Sequence, residues 1–342
     1  MSAEQSANAE KPVRVALLSA AHLHAESYLA CLQQLPAVQL CGVYDDDVAR
    51  GQASAQRWHT PFYASLPELL ADAPDAVIIC AENVKHRPLV EAVAGKVRHI
   101  LCEKPIATTL EDAQAMCDVC EAKGSHLHIA FPVRFSPVVK ELQRIVDAGQ
   151  LGRLISAVCT NHGKMPGGWF ADAALAGGGA VMDHTVHVID VLRSMLHCEV
   201  SEVYAEIGYG ILHPDVSIDD AGMLSFSLSN GMYGSLDTSW SRPPSYPIWG
   251  DVKITLLGEE GIMRADVFRQ SLSLSSERSG KTEQVGWGSN IDLALIKDFL
   301  RCVREDSAPT VSGYDGFKAL EVALAAYRSA QSGQVVKLAA DA

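Results

Sequence analysis

The chain has 342 residues, with 28 Lys and Arg against 41 Asp and Glu, and a formal net charge of -13. At roughly 100–200 residues per domain this length allows two domains, each able to bury its own core, and 48% hydrophobic with 20% charged residues are globular values that exclude a disordered or collagen-like chain. An acidic surface repels phosphate, which argues against a general nucleic-acid binder, and no stretch of roughly 18 apolar residues is present to span a membrane as a helix.

In chain order, the opening MSAEQSANAEKP is polar and lacks the apolar stretch of a signal peptide, so residues 1–11 are expected to form a disordered tail. VRVALLS (13–19) is continuous and β-branched, as a strand buried on both faces should be. HAESYLACLQQL (24–35) reads as a helix, VQLCGVYD (38–45) as a strand, and DDVARGQASAQRW (46–58) as a helix. SLPELLAD (65–72) is a short helix, DAVIICA (75–81) a buried strand, HRPLVEAVAG (86–95) a helix and HILCEKP (99–105) a strand. TLEDAQAMCDVCEAKG (109–124) opens on a capping Thr and closes on a Gly, and HLHIAFP (126–132) is a fifth strand. Strand–helix alternation at this spacing predicts an α/β unit over 12–132, a Rossmann-type doubly wound parallel sheet suited to a dinucleotide.

After Pro132 the pattern changes. SPVVKELQRIVDAGQLG (136–152) is helical, LISAVCTNH (154–162) a strand, and GGGAVMDHTVHVIDVLRSML (177–196) a helix entered through three glycines. Strand-like pieces follow at even spacing (SEVYAEIGYG, AGMLSFSLS, MYGSLDTSW, VKITLLG, GIMRADVF, SLSLSSE), with Asn230-Gly231 as a hairpin turn, before two closing helices. Residues 133–342 are therefore expected to be an α+β substrate-binding and oligomerisation domain on an open, mainly antiparallel sheet. An exposed apolar sheet face is commonly buried against another copy, so a homodimer or homotetramer is expected. The nine cysteines are scattered; Cys41, Cys80 and Cys102 sit in apolar runs, and Cys117-x-x-Cys120 lies in a helical run as two packing thiols. Reduced thiols point to the cytoplasm.

The first strand–turn–helix is where a dinucleotide fold carries G-x-G-x-x-G. Here the run is Ser19-Ala20-Ala21-His22-Leu23-His24, with no glycine. Two readings stand: plain turn residues, or an elbow in which Ser19, His22 or His24 donates to phosphate or substrate. Asp45, about 20 positions beyond the turn, is placed for the adenosine ribose diol. Asp46 and Asp47 add negative charge against a 2′-phosphate, which favours NAD over NADP. The alternative for these acids is a helix N-cap with acidic neighbours. Glu103-Lys104-Pro105 ends a parallel strand, on the edge where ligands bind. Lys104 could polarise a substrate oxygen, or pair structurally with Glu103. Asp183 and His187 share a helix face, so the carboxylate could orient the imidazole as a base, with His184 reaching the same cleft. His162, Trp169 and Trp249 lie among aromatic and polar groups that suit a sugar, the alternative for each Trp being core or interface. His162 with Asp183, His184 and His187 could also hold a divalent metal, but no tight His/Asp spacing repeats, and no metal is expected.

Together these residues resemble the glucose–fructose oxidoreductase, inositol dehydrogenase and rhizopine-catabolism family (Gfo/Idh/MocA), over roughly 13–338. The likeness rests on EKP at 103–105, DAVIICAEN-x-x-H at 75–86, RF-x-P at 134–137, GGG-x-x-x-D-x-x-x-H at 177–187, the Asn230-Gly231 hairpin and the closing G-x-x-A-L…Y-R-S-A…G. The resemblance implies an NAD(P)-dependent oxidoreductase acting on a hydroxyl of a sugar, cyclitol or polyol. It implies that Lys104 contacts the nicotinamide region and the reacting oxygen. His187 would be the general acid/base, with Asp183 its partner or a substrate ligand. Asn83, His86, Ala81 and Glu103 would line the cofactor cleft, and Arg134 would join the substrate contacts. Two departures from the family pattern are the missing glycines and Glu82 where a Pro usually precedes Asn83. They keep a redox-neutral lyase, hydratase or epimerase on the same scaffold as the alternative.

Overall fold

The computed structural model describes residues 11–269, 271–278, 280–286 and 288–339; the tail expected at 1–11 lies, except for Lys11, outside them. The first half contains β1 (Val13–Leu18), α1 (His24–Gln33), β2 (Val38–Tyr44), α2 (Val48–Arg57), β3 (Phe62–Tyr63), α3 (Leu66–Ala71), β4 (Ala76–Ile79), α4 (His86–Val93), β5 (His99–Cys102), α5 (Leu110–Lys123) and β6 (His126–Ile129). The six strands form one parallel sheet in the order β3-β2-β1-β4-β5-β6, which reverses direction beside β1. Every residue of β4 and β5 is buried, which is why both are apolar except for the His99 that opens β5. Side-chain oxygens of Asp47, Ser65 and Thr109 cap α2, α3 and α5, and Gly124 closes α5 at φ +70°. The two-residue β3 was not anticipated, because two residues carry no readable alternation.

The second half contains α6 (Pro137–Asp147), β7 (Leu154–His162), α7 (Ala173–Ala176), α8 (Ala180–Leu196), β8 (Val200–Tyr209), β9 (Asp219–Leu228), β10 (Tyr233–Ser239), β11 (Lys253–Gly258), β12 (Ile262–Asp266), β13 (Ser271–Ser276), β14 (Lys281–Gly286), α9 (Ile291–Glu305), α10 (Gly313–Ser332) and β15 (Val336–Lys337). Seven strands make a sheet in the order β12-β11-β7-β10-β9-β8-β15, antiparallel except for the β7–β10 pair. β9 and β10 join through Asn230-Gly231, with Gly231 at φ +88°. Among the described residues SLSLSSE does not extend this sheet: β13 pairs only with β14, a strand the sequence pattern did not reveal.

α8 decides where the polar residues meet. Fifteen of its seventeen residues are buried, so it has no face for water. Its Asp183, His184, His187 and Asp190 are therefore turned into the protein, where a polar group left without a partner is costly.

Candidate functional site

Three glycines deliver α8 to its place. A Cβ on Gly179 would lie 1.9 Å from the Asp219 carbonyl oxygen, and one on Gly178 2.3 Å from the Tyr327 hydroxyl oxygen. That proximity lets the Asp219 carboxylate accept the backbone N–H groups of Gly179 (2.7 Å) and Val181 (2.8 Å), capping the helix from across the chain. The Tyr327 hydroxyl donates to the same carboxylate at 2.9 Å. Asp183 and His187 then sit on successive turns of one face.

This face lines a cavity of about 310 Å³. Lys104, just past the end of β5, reaches it from the parallel sheet, and its Nζ donates to Asp183 Oδ1 at 2.5 Å. The second Asp183 oxygen takes the indole N–H of Trp240 at 3.2 Å and lies 3.3 Å from His184 Nε2. Burial pushes the Asp183 carboxyl up, but Lys104 and His184 outweigh it and hold the group well below the usual carboxylate range. His187 also lines the cavity. Burial and the Lys104 charge drive its pKa well below the ordinary value, so the imidazole is neutral. Its Nδ1 is buried without a hydrogen-bond partner. Asp183 is therefore not hydrogen-bonded to His187, contrary to expectation; its oxygens are taken by Lys104, Trp240 and His184.

The glycine-free elbow keeps a glycine-like turn. Ser19 stands at φ +65°, the left-handed conformation a first glycine would supply. His24 Nδ1 lies 3.0 Å from Glu103 Oε1 and His22 Nδ1 3.7 Å from the same oxygen. Burial would raise the Glu103 pKa, yet the two imidazoles and Lys104 keep it far below the carboxylate range. Burial lowers His24, but Glu103 wins and its pKa is raised; His22, buried with less help, falls to about 3. The donor atoms of His22, His24 and Glu103 lie within 4.8 Å of one another, close enough to share a cation. They already bond among themselves, however, with His22 Nδ1 accepting the His24 backbone N–H at 3.2 Å.

At the end of β2, Asp45 already has partners within the chain. Its carboxylate is buried and taken by a fork from Arg50 (Nε to Oδ2 2.8 Å, Nη2 to Oδ1 2.7 Å), by the Ala20 N–H at 2.8 Å and by the Asp47 N–H at 3.0 Å. Arg50 also reaches Glu82 at 3.3 Å, and Lys85 pairs with Asp46 at 2.6 Å. The negative charge expected to repel a 2′-phosphate is thus reduced but not cancelled: Arg50 and Lys85 stand among four carboxylates, Asp45, Asp46, Asp47 and Glu82. Arg50 was missed, although it stands four residues after Asp46 across the start of α2. Trp240 was missed as well, because only the β9–β10 pairing carries it to Asp183.

Other expected residues meet the site unevenly. Leu23, His184 and Trp249 line the cavity with Lys104, Asp183 and His187. Ala81 is fully buried past β4, and the Asn83 amide donates to the Ala176 carbonyl at 2.8 Å. His86 does not line the cleft: it is buried against the carbonyls of Pro105 (3.0 Å) and Ala81 (3.2 Å) and braces the Glu103-Lys104-Pro105 turn. Arg134 does not reach the cavity either, because it pairs with Asp190 and, at 3.1 Å, with Asp315. His162 turns to the sheet, with Asp237 at 3.0 Å and Asp251 at 3.2 Å; burial lowers its pKa but the two carboxylates lift it to about 9. Trp169 leaves the cavity for the elbow, where its indole donates to the Ala21 carbonyl at 3.0 Å and its ring stacks on Phe170.

A family model described as "Oxidoreductase family, NAD-binding Rossmann fold" matches residues 13–131, and one described as "GFO/IDH/MocA C-terminal domain" matches residues 139–264. The chain is 28% identical over 288 residues to myo-inositol 2-dehydrogenase of Thermotoga maritima, covering 81% of this chain and 84% of that one. It is 27% identical over 295 residues to D-xylose 1-dehydrogenase [NADP(+)] of Haloarcula marismortui, covering 78% and 76%. In fold it is similar to GenD2 from gentamicin A biosynthesis, solved in complex with NAD: TM-score 0.87, 22% identity, 99% of this chain and 100% of that one.

Proposed function

The chain belongs to the Gfo/Idh/MocA family of oxidoreductases, and from that premise we propose that it oxidises or reduces a CH–OH carbon of a sugar, cyclitol or related polyol, with NAD as the preferred coenzyme. The observation that carries this reading is the meeting of Lys104, Asp183 and His187 in one cavity at the end of β5. The residues present fit a dinucleotide. Ser19 supports the tight turn at the elbow, and His22 Nε2 and Asn83 Oδ1 are buried polar atoms without partners, following β1 and β4. Those strand ends border the topological switch point where such ligands bind. The elbow from Ser19 to Leu23, with Ala81, Asn83 and Glu103, would hold the diphosphate and nicotinamide, and Arg50 on Asp45 would meet the adenosine ribose. When bound, the nicotinamide supplies or accepts the hydride.

The chain's own groups supply the rest. Lys104, anchored by Asp183, presents an ammonium to the reacting oxygen and stabilises negative charge there. His187, neutral and largely shielded from water, takes the hydroxyl proton in oxidation and returns it in reduction. Trp240 and His184 hold Asp183 so that Lys104 points into the cavity. Trp249, half-exposed at the rim, offers a flat apolar face to a sugar ring. The redox-neutral alternative draws no support from relatives named as dehydrogenases. All nine cysteines are free thiols, which supports a reducing compartment such as the cytoplasm. Among the described residues no helix is long and apolar enough to cross a membrane.

Titration of the protein with NAD and with NADP, then a panel of sugars, cyclitols and polyols followed at the reduced-nicotinamide absorbance, tests the proposal. Tighter NAD binding and turnover of at least one polyol are expected. Failure to bind either dinucleotide would overturn it, and tighter NADP binding would overturn the coenzyme preference.

A further inference from the structure

A second cluster of chemistry-bearing residues lies at the opposite edge of the parallel sheet. His99 and His126 open β5 and β6, and the sheet register sets them side by side. Their rings lie 4.9 Å apart, tilted by 37°. Asp306, which ends α9 in the left-handed conformation at φ +46°, faces both. Its Oδ1 is 3.4 Å from His99 Nε2 and 4.0 Å from His126 Nε2. Both Nε2 atoms are buried and make no hydrogen bond, and His99 is only 1% exposed. A buried imidazole nitrogen without a hydrogen bond costs free energy, and two such atoms within 4.0 Å of one carboxylate oxygen call for a common explanation.

From this convergence we propose that the chain binds one first-row divalent transition metal, with zinc the best match, through His99 Nε2, His126 Nε2 and Asp306 Oδ1. Imidazole and carboxylate donors suit zinc, cobalt and nickel rather than magnesium or calcium. Zinc bonds of about 2.0–2.1 Å in tetrahedral array put neighbouring ligand atoms roughly 3.3–3.4 Å apart. The His99–Asp306 pair already stands at 3.4 Å, and His126 has to close from 4.0 Å. Water would complete the coordination from the adjoining surface cleft, which His99 and Asp306 both line.

The surroundings are those of a supported ligand set. His99 Nδ1 lies 3.1 Å from His128 Nε2, and the His128 ring is braced edge-on against Phe299 of α9. Holding the second nitrogen fixes the ring and its tautomer. Where His99 Nδ1 donates to His128, its Nε2 carries a lone pair 3.4 Å from a carboxylate oxygen, an arrangement that a cation shared by the two reconciles. Arg98 donates to Asp306 Oδ1 at 2.8 Å and reaches Oδ2 at 3.4 Å. On metal entry it would slide to Oδ2 and keep the carboxylate oriented. The ion would then pin the end of α9 to the floor of the parallel sheet. The other end of that helix places Ile291 and Asp292 in the wall of the candidate active cavity, where Asp292 accepts the Ser27 hydroxyl at 2.5 Å.

The test uses the full chain freed of metal by chelation and dialysis. Zinc is titrated calorimetrically, and cobalt(II) is followed by its visible absorption. One zinc per chain, a tetrahedral cobalt spectrum and a raised Tm with zinc are expected. His126→Gln and Asp306→Asn should each weaken zinc by roughly tenfold or more. Asp306 is exposed, so its variant keeps the proposal testable even if His126→Gln fails to fold. Absence of stoichiometric binding, or full affinity in either folded variant, would overturn the proposal. So would loss of the metal in His24→Gln instead, which would move the ion to the elbow.

Discussion

His187 stands beside a lysine ammonium in a buried cavity, and both burial and that charge disfavour its protonated form. Oxidation of an alcohol needs the neutral ring. The acid limb of kcat/KM in the oxidative direction is therefore expected to fall below the ordinary histidine value of about 6.5, and to vanish in His187→Ala. A limb at or above that value would contradict the role. Lys104→Ala and His187→Ala are each expected to fold and to lose about 10²–10⁴-fold in turnover, measured against a substrate the parent protein turns over. Arg50→Ala frees Asp45 and removes the cation nearest a 2′-phosphate. It should raise the ratio of NAD to NADP affinity, read from dinucleotide titrations; an unchanged ratio would remove Arg50 from coenzyme selection.

α8 carries the candidate chemistry, and its position depends on the small residues before it. Gly179→Ala would force a methyl into the Asp219 carbonyl. Overpacking of this kind costs about 1–3 kcal/mol, and it would also break the Asp219 cap and shift Asp183 and His187 together. A lower Tm with a kcat loss larger than the KM change is expected; kinetics equal to the parent's would show that the helix start does not position the site. α10 makes a comparison at a distance from the cavity. Ser312 and Asp315 form a capping box there, and Ser312→Ala should cost about 1 kcal/mol in a denaturation experiment without altering kcat.

Across the whole molecule, stability and assembly follow from where charge and apolar surface lie. His22 and His128 are pushed to about 3 by burial, so the unfolded chain binds protons that the native one refuses. Their contribution is lost as pH falls from about 6.5 toward 3. Asp190, raised by burial to about 6 against the pull of Arg134, acts in the opposite sense, gaining stability as pH drops through that value. Asp219 is raised by burial in the same way as Asp190, but His86, His99, His126 and His187 are lowered by burial along with His22 and His128 and outnumber the two aspartates, so Tm should fall between pH 6.5 and pH 4; a flat Tm there would contradict the assignment. The outer face of the second sheet exposes Val158, Met223, Tyr233 and Leu257. We expect a homodimer or homotetramer through this face, measured by light scattering, and dissociation in Val158→Glu. A monomeric parent protein would remove that expectation.

The sequence by itself determined the alternation that makes a doubly wound sheet, a second, mainly antiparallel sheet and the pairing of the Glu103-Lys104-Pro105 turn with an Asp-x-x-x-His helix. Those signals are local: buried strands must be apolar throughout, caps sit within four residues of what they cap, and i, i+4 residues share a face. Only the tertiary structure decided that Asp183 serves Lys104 rather than His187, that Arg50 occupies Asp45, and that Trp169 covers the elbow. It alone sent Arg134, His86 and His162 to structural partners and drew His99, His126 and Asp306 together. Each of these outcomes depends on which of several polar groups, distant in sequence, comes within about 3 Å of a buried charge. Burial makes every such group take the best partner within reach, and spacing along the chain carries no record of that choice.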